Sequence, residues 1–195
     1  MTNIFRESVN GIELIPIDDE LLDHRAIFLV DAVNAATSNQ LIMQLMYLEA
    51  QEEKSEITLY INSPGGDVTS GLAVYDYIGT MKSPLKTVCI GQASSMAAIL
   101  FLAGEKREML EHTEIMIHDP SYGNFNMSSK KPHEIQERLD SLNKTREKLA
   151  RIIADRTGKS LEEIYEITAD DTYFDAEQAI EFGLATGIFK GGKQQ

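Results

Sequence analysis

The sequence predicts a mixed α/β fold built on a largely parallel sheet, and three observations carry that prediction. Short apolar runs of strand length alternate with stretches whose apolar residues recur at helical spacing. Such alternation implies βαβ units with right-handed crossovers. Twice, a strand pattern ends in small residues directly before a helical one, at Asn62-Ser63-Pro64-Gly65-Gly66 and at Gly91-Gln92-Ala93-Ser94-Ser95. No linker, internal repeat or low-complexity tract divides the 195 residues, so a single domain (1–195) with one substantial core is expected.

Residues 1–10 form an N-terminal segment to which no element is assigned. Residues 26–30, 57–61, 86–90 and 115–117 read as buried strands. Leu41, Leu45 and Leu48 share one helical face, as do Val68, Leu72, Tyr75 and Ile78. A long helix spans about 132–157: Pro132 suits a first helical position, Gly158 suits the stop, and Ile135, Leu139, Leu142, Leu149 and Ile153 keep helical spacing between them. Ser160 and Glu163 make a capping-box pattern, Asp175 and Gln178 a looser one, and Gly183 can end the last helix. The tail, 191–195, is expected to be flexible.

Charge and composition exclude several function classes. A formal net charge of −13, with Lys130-Lys131 as the longest basic run, argues against nucleic-acid binding, because a phosphate backbone needs clustered Lys and Arg. The most apolar stretch, 96–103, is far shorter than the ~20 residues of a membrane-spanning helix. Residues 1–7 carry no basic region followed by an apolar one, and the single cysteine, Cys89, lies in an apolar run; a cytoplasmic location is the expectation. One Cys, four His and no ligand spacing of a known kind give no metal site.

Four segments can carry chemistry. At Gly65-Gly66, a backbone free to adopt positive φ just before a helix can hold an oxyanion, or simply make a tight bend. At Ser94-Ser95, one serine can cap the following helix while the other reacts, and physics at this level does not separate them. His118 ends a strand, where α/β sheets place functional groups, although a plain strand-end residue fits equally well. His24, His112 and His133 are explained by solvent exposure. The acids at Asp170, Asp171 and Asp175 read as an exposed loop, and no composition rule selects one of them.

Taken in order, these segments resemble the proteolytic subunit of the caseinolytic Clp protease, the ClpP family. Arg25-Ala26-Ile27-Phe28-Leu29, the 59–66 segment, Gly91 through Ala97, Met116-Ile117-His118, Thr157-Gly158 and the 171–184 segment carry the resemblance over nearly the whole chain. It implies a ClpP/crotonase-like fold of repeated strand–helix units, with the long helix as a protruding handle. It also implies serine endopeptidase activity without a cofactor in this chain. The serine before Met is the family's nucleophile, hence Ser95; His118 is then the general base and Asp171 orients it. Backbone N–H groups of Gly66 and Met96 would form the oxyanion hole. The implied substrates are peptides and unfolded proteins, hydrolysed inside a chamber of heptameric rings. The implied partner is an AAA+ unfoldase such as a Clp ATPase, which uses the ATP.

The chain departs from the family pattern at named positions. Asp119 stands where the family has Gln, and Asp170 where it has Arg. Both add negative charge near the expected ring interface, so stacking as a double ring or pairing with a differently charged ring is an open choice. Adjacency also suggests that Asp119 tunes His118. Thr58 replaces a tyrosine of the ATPase-docking pocket, the start lacks the family's apolar segment, and the 118–157 stretch is longer than usual. Two alternatives follow: a non-catalytic ring subunit of a mixed complex, and a crotonase-type enzyme acting on acyl-coenzyme A.

Overall fold

The computed structural model describes residues 2–8, 11–123 and 130–191. The chain opens with a hairpin of β1 (Asn3–Ser8) and β2 (Gly11–Pro16), paired antiparallel with Asn3 opposite Pro16. The sequence gives little signal for this hairpin because Phe5, Ile12 and Leu14 face solvent, so no buried face imposes alternation. Then follow α1 (Ile17–Asp23), β3 (Ala26–Leu29), α2 (Ala35–Gln51), β4 (Ile57–Ser63), α3 (Val68–Thr80), β5 (Leu85–Ser94) and α4 (Met96–Leu102). The second half comprises β6 (Lys106–Met109), β7 (Glu114–Ile117), α5 (Pro132–Thr157), α6 (Leu161–Thr168), β8 (Thr172–Phe174), α7 (Ala176–Phe182) and β9 (Gly187–Ile188).

Strands β3 to β9 form a seven-stranded sheet in the order β3-β4-β5-β6-β9, all parallel, with β7 added to β5 and β8 to β7. All four expected strands are present. β5 is the pivot, and it runs past residue 90 to Ser94. Its first half, Lys86 to Cys89, pairs with β6, while Gln92 to Ser94 pair with β7. The sheet therefore splits along β5, and the branch made by β7 and the antiparallel β8 carries the chemistry described below.

Helix α4 is buried on every side, which its sequence Met-Ala-Ala-Ile-Leu-Phe-Leu requires. On α2, Leu41, Leu45 and Leu48 are buried as expected, and Asn34 caps the helix start by accepting from Ala36 N (2.9 Å) and Thr37 N (3.1 Å). On α3 the expected stripe is rotated. Gly71, Val74 and Ile78 are buried, while Val68, Leu72 and Tyr75 are only partly so. The reason is steric: a Cβ at Gly71 would run into the Met96 side chain, so the missing side chain sets how closely α3 approaches α4.

The long helix α5 has the expected bounds, with Gly158 at φ 75° as its stop. Its apolar stripe is buried only at the C-terminal end, at Leu149, Ala150, Ile153 and Ala154, whereas Leu139 is exposed. Both later capping boxes form, at Ser160/Glu163 and Asp175/Gln178. The buried apolar side chains make one cluster around β4, β5 and α4. Of the segments given expectations above, residues 1, 9 and 10, part of the 118–157 stretch (124–129) and the tail 192–195 lie outside the described residues. No helix among the described residues is long and apolar enough to cross a membrane.

Candidate active site

Two crossover turns meet at the carboxyl end of β4 and β5. The first is Pro64-Gly65-Gly66. Gly65 and Gly66 both have positive φ (84° and 152°), and neither can carry a side chain. A Cβ on Gly65 would fall 2.8 Å from Met96 N and 2.9 Å from Ser95 Cβ, and one on Gly66 would strike Val33 O. The turn is thus held flat against the Ser95–Met96 backbone. Val33 fixes its other side, donating to Gly65 O (2.9 Å) and accepting from Asp67 N (2.8 Å). Asp67 then caps α3 by accepting from Ser70 N (2.7 Å) and the Ser70 hydroxyl (2.6 Å), which hold its carboxyl below the usual carboxylate range.

The second turn carries the serines, and here the structure separates what the sequence could not. Ser94 is the last residue of β5; its buried hydroxyl lies 3.3 Å from Gln92 Oε1. Ser95 stands at the N-cap of α4 with φ 54° and ψ −120°, a conformation that costs a non-glycine residue about 1–3 kcal/mol. Its side chain makes no cap hydrogen bond. Instead, Ser95 Oγ lies 2.8 Å from Nε2 of His118. The strained backbone thus turns the hydroxyl out of the helix and toward the histidine.

His118 follows the last residue of β7, and Asp171 precedes the first residue of β8. The antiparallel register pairs Ile117 with Thr172, so the next step out along that ladder sets His118 opposite Asp171. Nδ1 of His118 is 3.1 Å from Asp171 Oδ1. With the ring proton on Nδ1 facing the carboxylate, Nε2 accepts the Ser95 hydroxyl. The Met96 N–H is the amide next to Ser95, with Gly65 packed against it, and among the described residues neither Gly66 N–H nor Met96 N–H donates a hydrogen bond. Beside the serine, Val68, Ile99, Ile117, Pro120, Leu149 and Ile153 enclose an apolar recess of about 20 Å³.

Ser95, His118 and Asp171 therefore stand in one line, with the Gly65-Gly66 turn packed against the Ser95–Met96 backbone. Asp119 has intrachain partners. Its carboxylate is not bare: Oδ2 is 2.6 Å from Arg146 Nε, and Oδ1 accepts from the Thr168 hydroxyl at 2.8 Å. Its charge is thus compensated within the chain. Sequence reading missed this contact because 27 residues separate Asp119 from Arg146, and no local pattern connects them. Asp170 is exposed, as a loop acid would be.

Cys89 is buried, and burial pushes its thiol above the usual range, which suits a structural role. Among the described residues, no group of three or more His, Cys, Asp or Glu could hold a metal ion.

A family model described as Clp protease matches residues 10–192, which span the sheet, both glycine and serine turns, and the His118 and Asp171 positions. The parallel sheet and the seven helices of the described residues agree with the fold of that family's proteolytic subunit. By that match, over nearly all of its length, the chain belongs to the Clp protease family and is a ClpP-type serine protease.

Proposed function

We propose that this chain cleaves peptide bonds with Ser95 as nucleophile, His118 as general base and Asp171 as the group that orients the base. The observation that carries the reading is the unbroken line from Ser95 Oγ to His118 Nε2 (2.8 Å) and from His118 Nδ1 to Asp171 Oδ1 (3.1 Å). Ser95 Oγ attacks the scissile carbonyl while Nε2 takes its proton, and the imidazolium is held by Asp171. Gly66 N–H and Met96 N–H receive the charge that develops on the carbonyl oxygen. The imidazolium then gives its proton to the departing amine, and water releases the acyl group by the same route.

The proposal extends to the setting. The substrates are unfolded polypeptides, delivered by an ATP-dependent AAA+ unfoldase into a chamber of heptameric rings in the cytoplasm, with the exposed N-terminal part of α5 as the handle between rings. Leu139, exposed at 48%, supports that role, since a helix with no partner has little use for an apolar side chain there. A free buried thiol at Cys89 is in keeping with a reducing compartment.

The deciding experiment labels the purified protein with a fluorophosphonate and maps the adduct by mass spectrometry, beside Ser95→Ala and Ser94→Ala, with assembly followed by size-exclusion chromatography. The proposal expects an adduct on Ser95 that Ser95→Ala alone abolishes. An assembled, folded protein that takes no label would favour the non-catalytic subunit, and binding of coenzyme A would favour the crotonase-type reading.

A further inference from the structure

The contact between Asp119 and Arg146 reaches further than charge balance. Two hydrogen bonds and one ion pair fix the residue after His118. Asp119 N donates to Thr168 O (2.7 Å), its Oδ1 accepts from the Thr168 hydroxyl (2.8 Å), and its Oδ2 meets Arg146 Nε at 2.6 Å. Thr168 is buried at the end of α6, and the short turn beyond it carries Asp171. That turn is closed from the other side by Thr172, whose hydroxyl donates to Ile167 O at 2.7 Å. One threonine therefore anchors the backbone behind His118 and begins the turn that presents Asp171.

Arg146 is itself held. It lies on α5, its guanidinium sits 4.5 Å from the centre of the Tyr165 ring, and its Nη2 donates to Tyr165 O at 3.3 Å. The planar guanidinium can stack on the ring and meet the carboxylate at once, which a lysine ammonium cannot do. Asp119 thereby links three elements: β7 through the backbone, α5 through Arg146 and α6 through Thr168.

We infer that Asp119, Arg146 and Thr168 are positioning residues, an intramolecular brace that sets the spacing between His118 and Asp171. The inference rests on the peptidase reading above. None of the three touches Ser95 or the recess beside it. Their effect passes through the His118–Asp119 peptide and the Thr168–Asp171 turn. Because a triad geometry that slips by about 1 Å can lose ~10²-fold in rate, a brace behind the base has consequences for turnover.

The brace can be told from a charge effect. Asp119 is the immediate neighbour of His118, and Arg146 pairs with it; of the charged side chains on α6 and the following turn, Asp171 contacts the ring, while Glu162, Glu163, Glu166 and Asp170 are exposed. A change in local charge moves the pH midpoint of Ser95 labelling but leaves the alkaline plateau, where the base is neutral in every variant. Loss of geometry lowers the plateau itself.

The experiment is the second-order rate of fluorophosphonate labelling of the full chain, followed to about 2 pH units above the ordinary imidazole value of ~6.5. Arg146→Met and Asp119→Asn are compared with Arg146→Lys and the double variant, and folding is checked by circular dichroism melting. The brace predicts that Arg146→Met lowers the plateau by up to ~10²-fold. It also predicts that Arg146→Lys recovers only part of the loss, and that the double variant is no slower than the worse single one. A plateau unchanged in Arg146→Met overturns the brace and leaves the peptidase reading standing. An unlabelled parent chain takes both down together. Should Asp119→Asn fail to fold, Arg146→Met and Arg146→Lys decide alone, since they leave both Thr168 bonds in place.

Discussion

Asp171 meets His118 because Ile117 pairs with Thr172: the β7–β8 ladder puts the two residues just beyond its end side by side, with Nδ1 and Oδ1 at 3.1 Å. An antiparallel pair alternates its spacing residue by residue, so a shift of one step would turn both side chains away from each other. Short as it is, β8 therefore fixes where Asp171 stands relative to His118. Asp171→Asn is expected to leave the fold intact and to lower turnover, since the amide no longer favours the tautomer that accepts from Ser95. In a buried triad that loss approaches ~10⁴-fold. Here Asp171 is 59% exposed and water screens it, so the loss falls short of that limit. Steady-state peptide hydrolysis measures it, with kcat falling and KM unchanged.

Gly66 is the position least able to accept a side chain. It combines φ 152° with a Cβ position that would collide with Val33 O. Gly66→Ala must therefore move the turn away from Ser95–Met96, and its N–H moves with it. Losing one oxyanion donor lowers turnover by ~10²–10³-fold. The expected signature is a fall of that size in kcat for peptide hydrolysis. Equal rates for Gly66→Ala and the parent chain in hydrolysis would remove Gly66 from the mechanism.

The features legible in the sequence are those set by local chemistry. Pro132 and Gly158 bound α5, Ser160 and Asp175 cap α6 and α7, and the apolar runs of β4 and β5 mark buried strands. Five site positions were legible by resemblance, but the choice of Ser95 over Ser94 acquires its physical reason only from φ 54° and the missing cap bond. What local pattern did not carry has a common cause. The β1–β2 hairpin buries no face, so it leaves no alternation. The Asp119–Arg146 contact and the Gly71–Met96 approach join residues far apart in the chain, and their partners are chosen by the fold.

Asp67 makes the glycine turn sensitive to acid. Ser70 supplies two hydrogen bonds that favour the carboxylate, so the folded state holds this carboxyl below its unfolded value. The stabilisation it gives is therefore fully present above the unfolded pKa of ~3.9 and is lost as pH falls through the lowered folded value. Asp67→Ala is expected to destabilise the protein by ~1 kcal/mol at neutral pH, the usual worth of a helix N-cap. Thermal melts of the two proteins should differ at pH 7 and converge in acid. A difference that persists unchanged at about pH 3, below the ordinary Asp value, would show that the cap acts by packing and not by its charge.

Among the described residues, Arg107 is a charge buried without a carboxylate partner. Its Nε donates to Leu184 O (2.8 Å), Nη1 to Gly104 O (3.4 Å), and Nη2 to Gly183 O (3.2 Å) and Arg156 O (3.4 Å). Gly104 follows α4, Arg156 lies in the last turn of α5, and Gly183 stops α7. The guanidinium thus sits where the negative ends of three helices converge, and their carbonyls supply the counter-charge that no acid provides. Burial still pushes its pKa down, with the neighbouring Arg156 adding to the effect. Arg107→Met keeps the volume but strips those carbonyls of their donor. Each unsatisfied group costs about 1–3 kcal/mol, so a loss of about 3 kcal/mol or more is expected in urea denaturation. Arg107→Lys keeps the charge but offers donors from a single nitrogen, so it should recover the bond to one or two carbonyls and only part of the stability. A Met variant as stable as the parent would mean that water reaches the three helix ends, and the guanidinium would then be a filler of space and not their common cap.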